Sequence, residues 1–212
     1  MHELAGGNRL TLTECRRTDS AELFNFYSSI IVGGSRWSST LEIVLSEART
    51  LFKFDGIAQH NLVISHRKRI KLNKEINLLL RPDGALLIRA KAEKGQMCIA
   101  QNMFIWEGIE LIGCTQSTKK GIRNNVVYKV MKIDDGVHVA RKGGETEVVT
   151  LTFANVAALL RLAYAQTYAS VQGTEFDDSL RLHDTSNKHF TMRHLFVAMS
   201  RAKRKDLIDI VP

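Results

Sequence analysis

The feature that most constrains the fold of this chain is a change in its hydrophobic pattern near Ala85. Before it, a short β-branched apolar run at residues 61–65 is followed by an amphipathic stretch over residues 69–80. A buried strand followed by a helix is typical of a parallel sheet, because strands covered on both faces read as continuous apolar runs. After Ala85, short strand-like runs follow one another with glycine or asparagine turns between them. The pattern therefore predicts an α/β domain interrupted by a small antiparallel β segment.

Further elements extend this prediction along the chain. Apolar spacing predicts helices over residues 20–31 and 40–52, and alternation predicts a strand over residues 9–13. Asp135-Gly136 lies between two strand-like runs, which is a good hairpin signal. A basic helix and a short strand at residues 207–211 close the chain. The strand-like runs after the change of pattern are residues 85–90, 97–100, 109–112, 126–133, 137–140 and 147–152.

These elements predict one α/β domain in two parts with an insert between them. The first part covers residues 1–95 and the antiparallel insert covers residues 96–155. The second part covers residues 156–212, where an Ala/Leu-rich stretch restores the α/β pattern. A chain of 212 residues is long enough to bury a core of this size.

Composition excludes several classes of protein. Hydrophobic residues make up 44% and charged residues 25% of the chain, which is typical of a globular domain rather than a disordered one. No apolar run is long enough to span a membrane, and residues 1–7 lack the apolar core of a secretory signal. Three widely spaced cysteines favour neither a disulfide framework nor a zinc site. An intracellular, reducing compartment is expected, with nuclear and cytoplasmic placement both open.

The net charge of +8 indicates a polyanionic partner. The positive charge is clustered in two blocks rather than spread evenly. The first block is His66-Arg67-Lys68-Arg69 with Lys71 and Lys74, and the second contains Arg201 and Lys203-Arg204-Lys205. Nucleic acid is the partner class that such blocks favour, although a solvated basic surface is the alternative for either block alone.

Several catalytic motifs are absent from the sequence. There is no GxxxxGK[ST] loop, so the chain lacks the nest of backbone N–H groups and the lysine that hold nucleotide phosphates in that motif. No HExxH, GxSxG or zinc-spaced Cys/His set occurs. The His183-Asp184 dipeptide is interpreted as structural. Trp37 and Trp106 could stack on bases, but packing is the favoured interpretation for both.

Two segments near the C-terminus carry the most specific signal. Residues 163–175 read as a strand that runs into a Gln172-Gly173 turn, where glycine permits a backbone conformation that other residues avoid. Residues 194–203 place Ser200-Arg201 at the end of an apolar element. An arginine at the end of a rigid element can reach a phosphate on a neighbouring domain, because the guanidinium fork matches phosphate geometry.

Together these segments resemble motifs V and VI of superfamily 1 helicases. The likeness is greatest to the Pif/RecD/Dda type, including forms found in large DNA viruses. Thr167, Gln172 and Gly173 match the T-x-x-x-x-Q-G pattern of motif V, and residues 196–202 match motif VI. The likeness extends over nearly the whole chain but covers only the second half of a helicase. It implies a RecA-like domain of the P-loop-NTPase type, without its Walker A loop, that carries an SH3-like β-barrel insert.

The resemblance also implies roles for particular residues. Arg201 is the expected arginine finger, and Arg16 is the expected second catalytic cation. Residues 12–19 resemble the entrance of the second RecA-like domain, but Cys15 stands where an aromatic residue is usual, and Arg17 is the fallback for Arg16. The residues expected at the ATP site are Gln172, Gly173 and Glu175, although the position of Glu175 varies in the Pif branch. The residues expected to bind nucleic acid are Ser65, His66, Arg67, Lys68 and Thr167.

The expected function is therefore that of the C-terminal domain of an ATP-dependent DNA helicase or translocase. ATP and Mg²⁺ are the expected substrate and cofactor, with the Mg²⁺ ligands on a missing N-terminal RecA-like domain and no metal site in this chain. Single-stranded DNA is the expected partner, RNA stays open, and no membrane is involved. The chain alone is expected to be inactive, either as a fragment or as half of a split enzyme.

Two alternatives belong to other classes. The first is a non-enzymatic basic nucleic-acid-binding module on a degenerate RecA-like scaffold, which explains the charge and the missing phosphate loop equally well. The second is a small α/β nuclease that binds Mg²⁺ through Glu175, Asp177 and Asp178. Arg201 and Arg16 discriminate between the helicase and the scaffold, because a scaffold needs neither of them.

Overall fold

The computed structural model describes residues 18–31, 33–90 and 101–212. Strand predictions at residues 9–13 and 97–100 lie outside these ranges. The helices of the described residues are α1 (Ala21–Ser29), α2 (Leu41–Leu51), α3 (His66–Leu80), α4 (Phe153–Leu159) and α5 (Met192–Met199). The strands are β1 (His60–Val63), β2 (Leu86–Ile88), β3 (Met103–Ile105), β4 (Glu110–Gly113), β5 (Val127–Ile133), β6 (Val137–Arg141), β7 (Gly144–Leu151), β8 (Leu160–Leu162), β9 (Ala165–Thr167), β10 (Leu180–Leu182) and β11 (Ile208–Ile210).

Four of the strands form a parallel sheet in the order β11-β10-β1-β9. Its apolar side chains, such as Leu62, Leu180 and Ile208, are fully buried, as expected for parallel strands that are covered on both faces. Helices α1, α2 and α5 contribute to the same core through Leu23, Val44 and other buried residues. The α/β domain predicted from the sequence is confirmed.

A second core lies within an antiparallel sheet of order β7-β6-β5-β4-β8 and includes residues of the antiparallel β2–β3 pair. Alternate residues of its strands, including Val130 and Val139, face this core and are fully buried. The predicted hairpin joins β5 to β6, where the Asp134 N–H donates to the Gly136 carbonyl at 3.0 Å. The antiparallel insert predicted from the sequence is therefore present.

Two boundaries differ from the sequence expectation. Strand β8 pairs with β4, so the antiparallel sheet includes residues beyond the expected end of the insert at residue 155. An Ala/Leu-rich run does not distinguish a helix from a strand by periodicity, and here it contains both α4 and β8. Helix α3 begins three residues before the predicted start, because the Ser65 hydroxyl accepts a hydrogen bond from the Lys68 N–H at 3.2 Å and caps the helix.

Helix α3 connects the parallel sheet to the β2–β3 strand pair through two buried asparagines. The Asn73 side chain donates to the Ala165 carbonyl at 3.0 Å and accepts from the Ala165 N–H at 2.9 Å. One turn later, Asn77 makes the same pair of hydrogen bonds with the backbone of Phe104. Ala165 lies on an edge strand, so the amide satisfies backbone groups that no neighbouring strand can reach. None of the helices described here is long and apolar enough to span a bilayer.

Candidate nucleic-acid and nucleotide sites

The carboxyl ends of β1 and β9 bring the predicted nucleic-acid-binding residues together. These strands are parallel neighbours, and Val63 pairs with Thr167 in the last register position of both strands. Residues 65–68 follow β1 directly, so they lie at the same edge of the sheet as Thr167. The two segments are more than 90 residues apart in sequence, and only the strand order makes them neighbours.

The start of α3 presents positive charge and backbone donors to solvent. Ser65, His66 and Arg67 are exposed, whereas Lys68 is partly buried. A helix N-terminus carries unpaired N–H groups and a partial positive charge, which favour an anion such as a phosphate. Lys68 differs from its neighbours because its ammonium group pairs with the Asp184 carboxylate at 2.7 Å.

Thr167 lies at the point where β9 becomes a turn. Its residue is 7% exposed, and its carbonyl accepts hydrogen bonds from the Ser170 N–H and hydroxyl, both at 2.9 Å. The next residue, Tyr168, is buried and donates its hydroxyl to the His183 carbonyl at 2.8 Å. Burial is the main cause that raises the pKa of Tyr168 well above its usual value, so this hydroxyl remains a donor. These contacts fix the backbone on both sides of Thr167.

The predicted ATP-site residues of motif V lie on the loop that connects β9 to β10. Gln172, Gly173 and Glu175 are all exposed. Gly173 has a φ of +89°, in the left-handed region that favours glycine, as the sequence prediction required. A Cβ at this position would meet nothing within 4 Å, so the backbone conformation rather than space selects glycine.

Arg201 lies just beyond the end of α5, beside the same loop. Its carbonyl accepts a hydrogen bond from the Phe176 N–H at 2.8 Å, and the Lys203 N–H donates to the Phe176 carbonyl at 3.1 Å. The Arg201 side chain is partly buried, and Lys203 forms an ion pair with Asp177 at 2.5 Å. The hydrogen bond with Asp177 raises the pKa of Lys203, which therefore stays positively charged. The structure thus brings the backbone of Arg201 next to Phe176, the residue that follows Glu175.

The other expected cation, Arg16, and its fallback Arg17 lie outside the described residues. The described part of the chain begins at Thr18, whose hydroxyl donates to the Lys203 carbonyl at 2.6 Å. The Asp19 N–H donates to the same carbonyl at 3.2 Å. The start of the described chain therefore contacts Lys203, which is two residues after Arg201 in the sequence.

The predicted nucleic-acid-binding residues and the Phe176–Arg201 contact lie near opposite ends of β1. Ser65 lies two residues beyond its last residue, Val63, whereas the ring of its first residue, His60, lies 4.6 Å from the Phe176 ring. Helix α5 runs between the two ends. His194 in its first turn contacts the Tyr168 ring, and Arg201 follows its last turn. One short helix thus connects the predicted nucleic-acid site with the predicted nucleotide site.

The acidic residues do not support a nuclease. Among the residues that the structure describes, no group of three His, Cys, Asp or Glu side chains could hold a metal ion. Asp177 pairs with Lys203, and Asp178 lies 3.5 Å from the Lys142 ammonium group. The His183 ring pairs with Asn61 at 2.9 Å, so it has the structural role that the sequence favoured.

Sequence reasoning missed the role of Asp184 and the asparagines of α3. Two asparagines four residues apart on the buried side of an amphipathic helix were a detectable signal, because such residues need backbone partners. Nothing local indicated the contact of Asp184, which lies 116 residues from Lys68.

The expected packing of Trp37 was wrong, since this residue is 56% exposed, whereas Trp106 packs against the second core.

Comparison with solved structures relates this geometry to known proteins. The chain is similar to the Pif1 helicase from Bacteroides in complex with ADP-AlF3 and single-stranded DNA, with a TM-score of 0.66 and 16% identity over 96% of this chain. It is also similar to the Pif1 helicase from Candida albicans, with a TM-score of 0.63 and 13% identity over 93% of this chain. No protein-family model and no curated protein matches the sequence.

The chain spans about half the length of the structures that it matches, namely 52% of the Bacteroides protein and 54% of the Candida albicans protein. At this level of identity the likeness establishes the fold alone. The fold class expected from the sequence is confirmed: the chain is an α/β protein with a four-stranded parallel sheet and antiparallel sheets, and it matches half of a Pif1 helicase.

Proposed function

We propose that this chain is the second RecA-like domain, with its insert, of an ATP-dependent DNA helicase or translocase. The observation that supports the proposal is the backbone hydrogen bond from the Phe176 N–H to the Arg201 carbonyl, which joins the segment that resembles motif VI to the loop that resembles motif V. The basic start of α3 beside Thr167 supports a site for single-stranded DNA at the other end of β1. Two of the Bacteroides structures that share the fold contain single-stranded DNA.

In this proposal Arg201 acts on a nucleotide that is held mainly by another domain. Charge develops on the γ-phosphoryl oxygens during hydrolysis, and an arginine supplied across a domain cleft stabilises that charge. Arg16 supplies a second cation, while Gln172, Gly173 and Glu175 form the loop that faces the nucleotide. A first RecA-like domain provides the phosphate loop and the Mg²⁺ ligands. The viral source expected from the sequence stays a prediction.

At the other end of the sheet, Ser65, His66, Arg67, Lys68 and Thr167 form the proposed nucleic-acid site. Contacts to the phosphodiester backbone do not depend on base sequence and weaken as salt increases. Opening and closing of the nucleotide cleft moves this site relative to the DNA contacts of the first domain. Such alternation would produce translocation along the strand.

The test measures DNA-stimulated ATP hydrolysis by the complete helicase that contains this chain. For Arg201→Ala we expect turnover to fall by on the order of 10² or more, because the loss of a transition-state cation has this magnitude. Nucleotide binding should be retained. Arg204→Ala is the matched control, since Arg204 is an exposed neighbour paired with Asp206. Unchanged turnover in Arg201→Ala would favour the alternative, a non-enzymatic nucleic-acid-binding module.

A further inference from the structure

Asp184 makes two contacts that bracket the start of α3. One carboxylate oxygen accepts a hydrogen bond from the Ile64 N–H at 2.9 Å, and the other accepts one from the Lys68 ammonium group at 2.7 Å. Ile64 precedes the cap residue Ser65, and Lys68 lies in the first turn of the helix. The carboxylate therefore holds the chain immediately before and after the exposed segment 65–67.

The backbone around Asp184 is anchored on both sides. Asp184 has a φ of +63°, in the left-handed region, where aspartate and asparagine are better tolerated than most other residues. The preceding carbonyl, that of His183, accepts the Tyr168 hydroxyl. The following residue, Thr185, donates its hydroxyl to the Val211 carbonyl at 2.8 Å. Asp184 is thus presented from a loop that is fixed to β9 and to the end of β11.

The burial of the pair indicates that it is a stable contact. The side chain of Asp184 is 12% exposed and that of Lys68 is 33% exposed. If Lys68 moved to a DNA phosphate, the largely buried carboxylate would lose its cation and would also face the negative strand. A buried charge without its partner is strongly unfavourable. Lys68 is therefore better placed to support the site than to leave it for a phosphate.

We propose that Lys68 and Asp184 form a positioning pair that holds His66 and Arg67 at the carboxyl end of β1 for contact with single-stranded DNA. The inference rests on the proposed function and assigns Lys68 a role different from the direct contact expected from sequence. In this arrangement Arg67 contacts a phosphate, whereas Lys68 contacts only Asp184. The pair fixes the first turn of α3 and, with it, the position of the exposed residue Arg67.

The salt dependence of binding separates a positioning residue from a phosphate contact. For single strands, each phosphate contact contributes about 0.7 to the slope of the logarithm of affinity against the logarithm of salt. The probe is a fluorescein-labelled oligothymidylate of about 20 nucleotides, and anisotropy measures its binding to the whole chain from about 50 to 300 mM salt. The variants are Lys68→Met, Asp184→Asn, their combination, Lys68→Arg, and Arg67→Met as the reference for a lost phosphate contact.

We expect Lys68→Met and Asp184→Asn each to weaken binding by about threefold to tenfold with an unchanged slope, and the double variant to be no weaker than either. Lys68→Arg retains the pair and should bind like the unmodified chain. Asparagine keeps the left-handed backbone and one acceptor oxygen for the Ile64 N–H, so Asp184→Asn removes the charge and the acceptor that Lys68 uses. A slope reduced by about 0.7 in Lys68→Met, or tighter binding by Asp184→Asn, would overturn the proposal.

A second measurement separates failure of this inference from failure of the proposed function. Amide hydrogen exchange in the DNA-free chain should become faster at Ile64 and in the first turn of α3 in both single variants. Unchanged exchange would overturn the positioning role even if the unmodified chain binds DNA. If the unmodified chain does not bind the oligonucleotide, or if Arg67→Met keeps its full slope, the proposed DNA site itself is wrong and the inference falls with it.

Discussion

The hydrogen-bond partner of His183 determines which of its ring nitrogens carries the hydrogen. The Asn61 amide nitrogen donates to the carbonyls of Ala58 and Tyr164, so the Asn61 oxygen is left to accept a hydrogen bond. His183 Nε2 lies 2.9 Å from that oxygen and must carry the hydrogen. The tautomer of His183 therefore follows from the contacts of Asn61.

This environment makes His183 a source of pH-dependent stability. Burial, followed by the positive charges of Lys68 and Arg181, lowers the pKa of His183 to about 4 from its ordinary value of 6.5. Between these two values the unfolded chain binds a proton that the folded chain does not, so the free energy of unfolding falls as the pH falls. We expect urea denaturation to show this loss from about pH 6.5 down to about pH 4.

The His183→Gln variant isolates this contribution. Glutamine can still donate to Asn61 but does not titrate in this range. The variant should therefore show a shallower pH dependence than the unmodified chain, with the two curves converging toward acidic pH. Burial also lowers the pKa of His60 and of His194, so a dependence of the same sign should remain in the variant. Identical slopes in the two proteins would contradict the assignment.

At the scale of elements, α3 is joined to the parallel sheet by a side chain that hydrogen-bonds to the outer edge of β9. Asn73 is fully buried and satisfies both backbone groups of Ala165 on edge strand β9. In Asn73→Ala, these two buried groups lose their partners, and each such loss costs about 1–3 kcal/mol. We therefore expect the free energy of unfolding, measured by urea denaturation, to fall by about 2–6 kcal/mol.

Lys74→Ala provides the control for the asparagine variant, because Lys74 is the exposed neighbour of Asn73 on the same helix. Its effect should stay within about 0.5 kcal/mol. A similar, small effect of both substitutions would show that water or a shift of β9 satisfies Ala165 in the variant. The connection between α3 and the parallel sheet would then depend on apolar packing alone.

Local sequence signals were sufficient for most elements but not for the contacts between them. The Ser65 cap, the Asp135-Gly136 turn and the left-handed Gly173 each depend on the chemistry of one or two residues, so the sequence predicted the hairpin and the Gly173 turn. The Asn73–Ala165 contact spans 92 residues and depends on which strand lies at the edge of the sheet. No local pattern indicates the strand order β11-β10-β1-β9. Because the partners of Asn73 and Asp184 depend on this order, they could not be predicted from the sequence.

At the scale of the whole molecule, the order of the strands separates the two predicted sites. The parallel sheet places residues 65–68 and Thr167 at its carboxyl edge, and the Phe176–Arg201 contact lies near the start of β1. Which residues belong to each group stays a prediction, and the sequence did not indicate that β1 and α5 would connect the two groups. Helix α5 packs against α1, and both helices contribute to the core of the parallel sheet.

This separation predicts that charge removal at the two ends has different effects on DNA binding. Arg67→Met and Arg201→Met are matched changes, since each removes one guanidinium from a chain with a net charge of +8. We expect Arg67→Met to reduce the salt slope of oligothymidylate binding by about 0.7, whereas Arg201→Met should leave it unchanged. Anisotropy titrations of the same labelled strand measure both. Because the two variants have the same net charge, an equal loss of slope would mean that DNA binds through overall charge and that the sites at the two ends of β1 are not distinct.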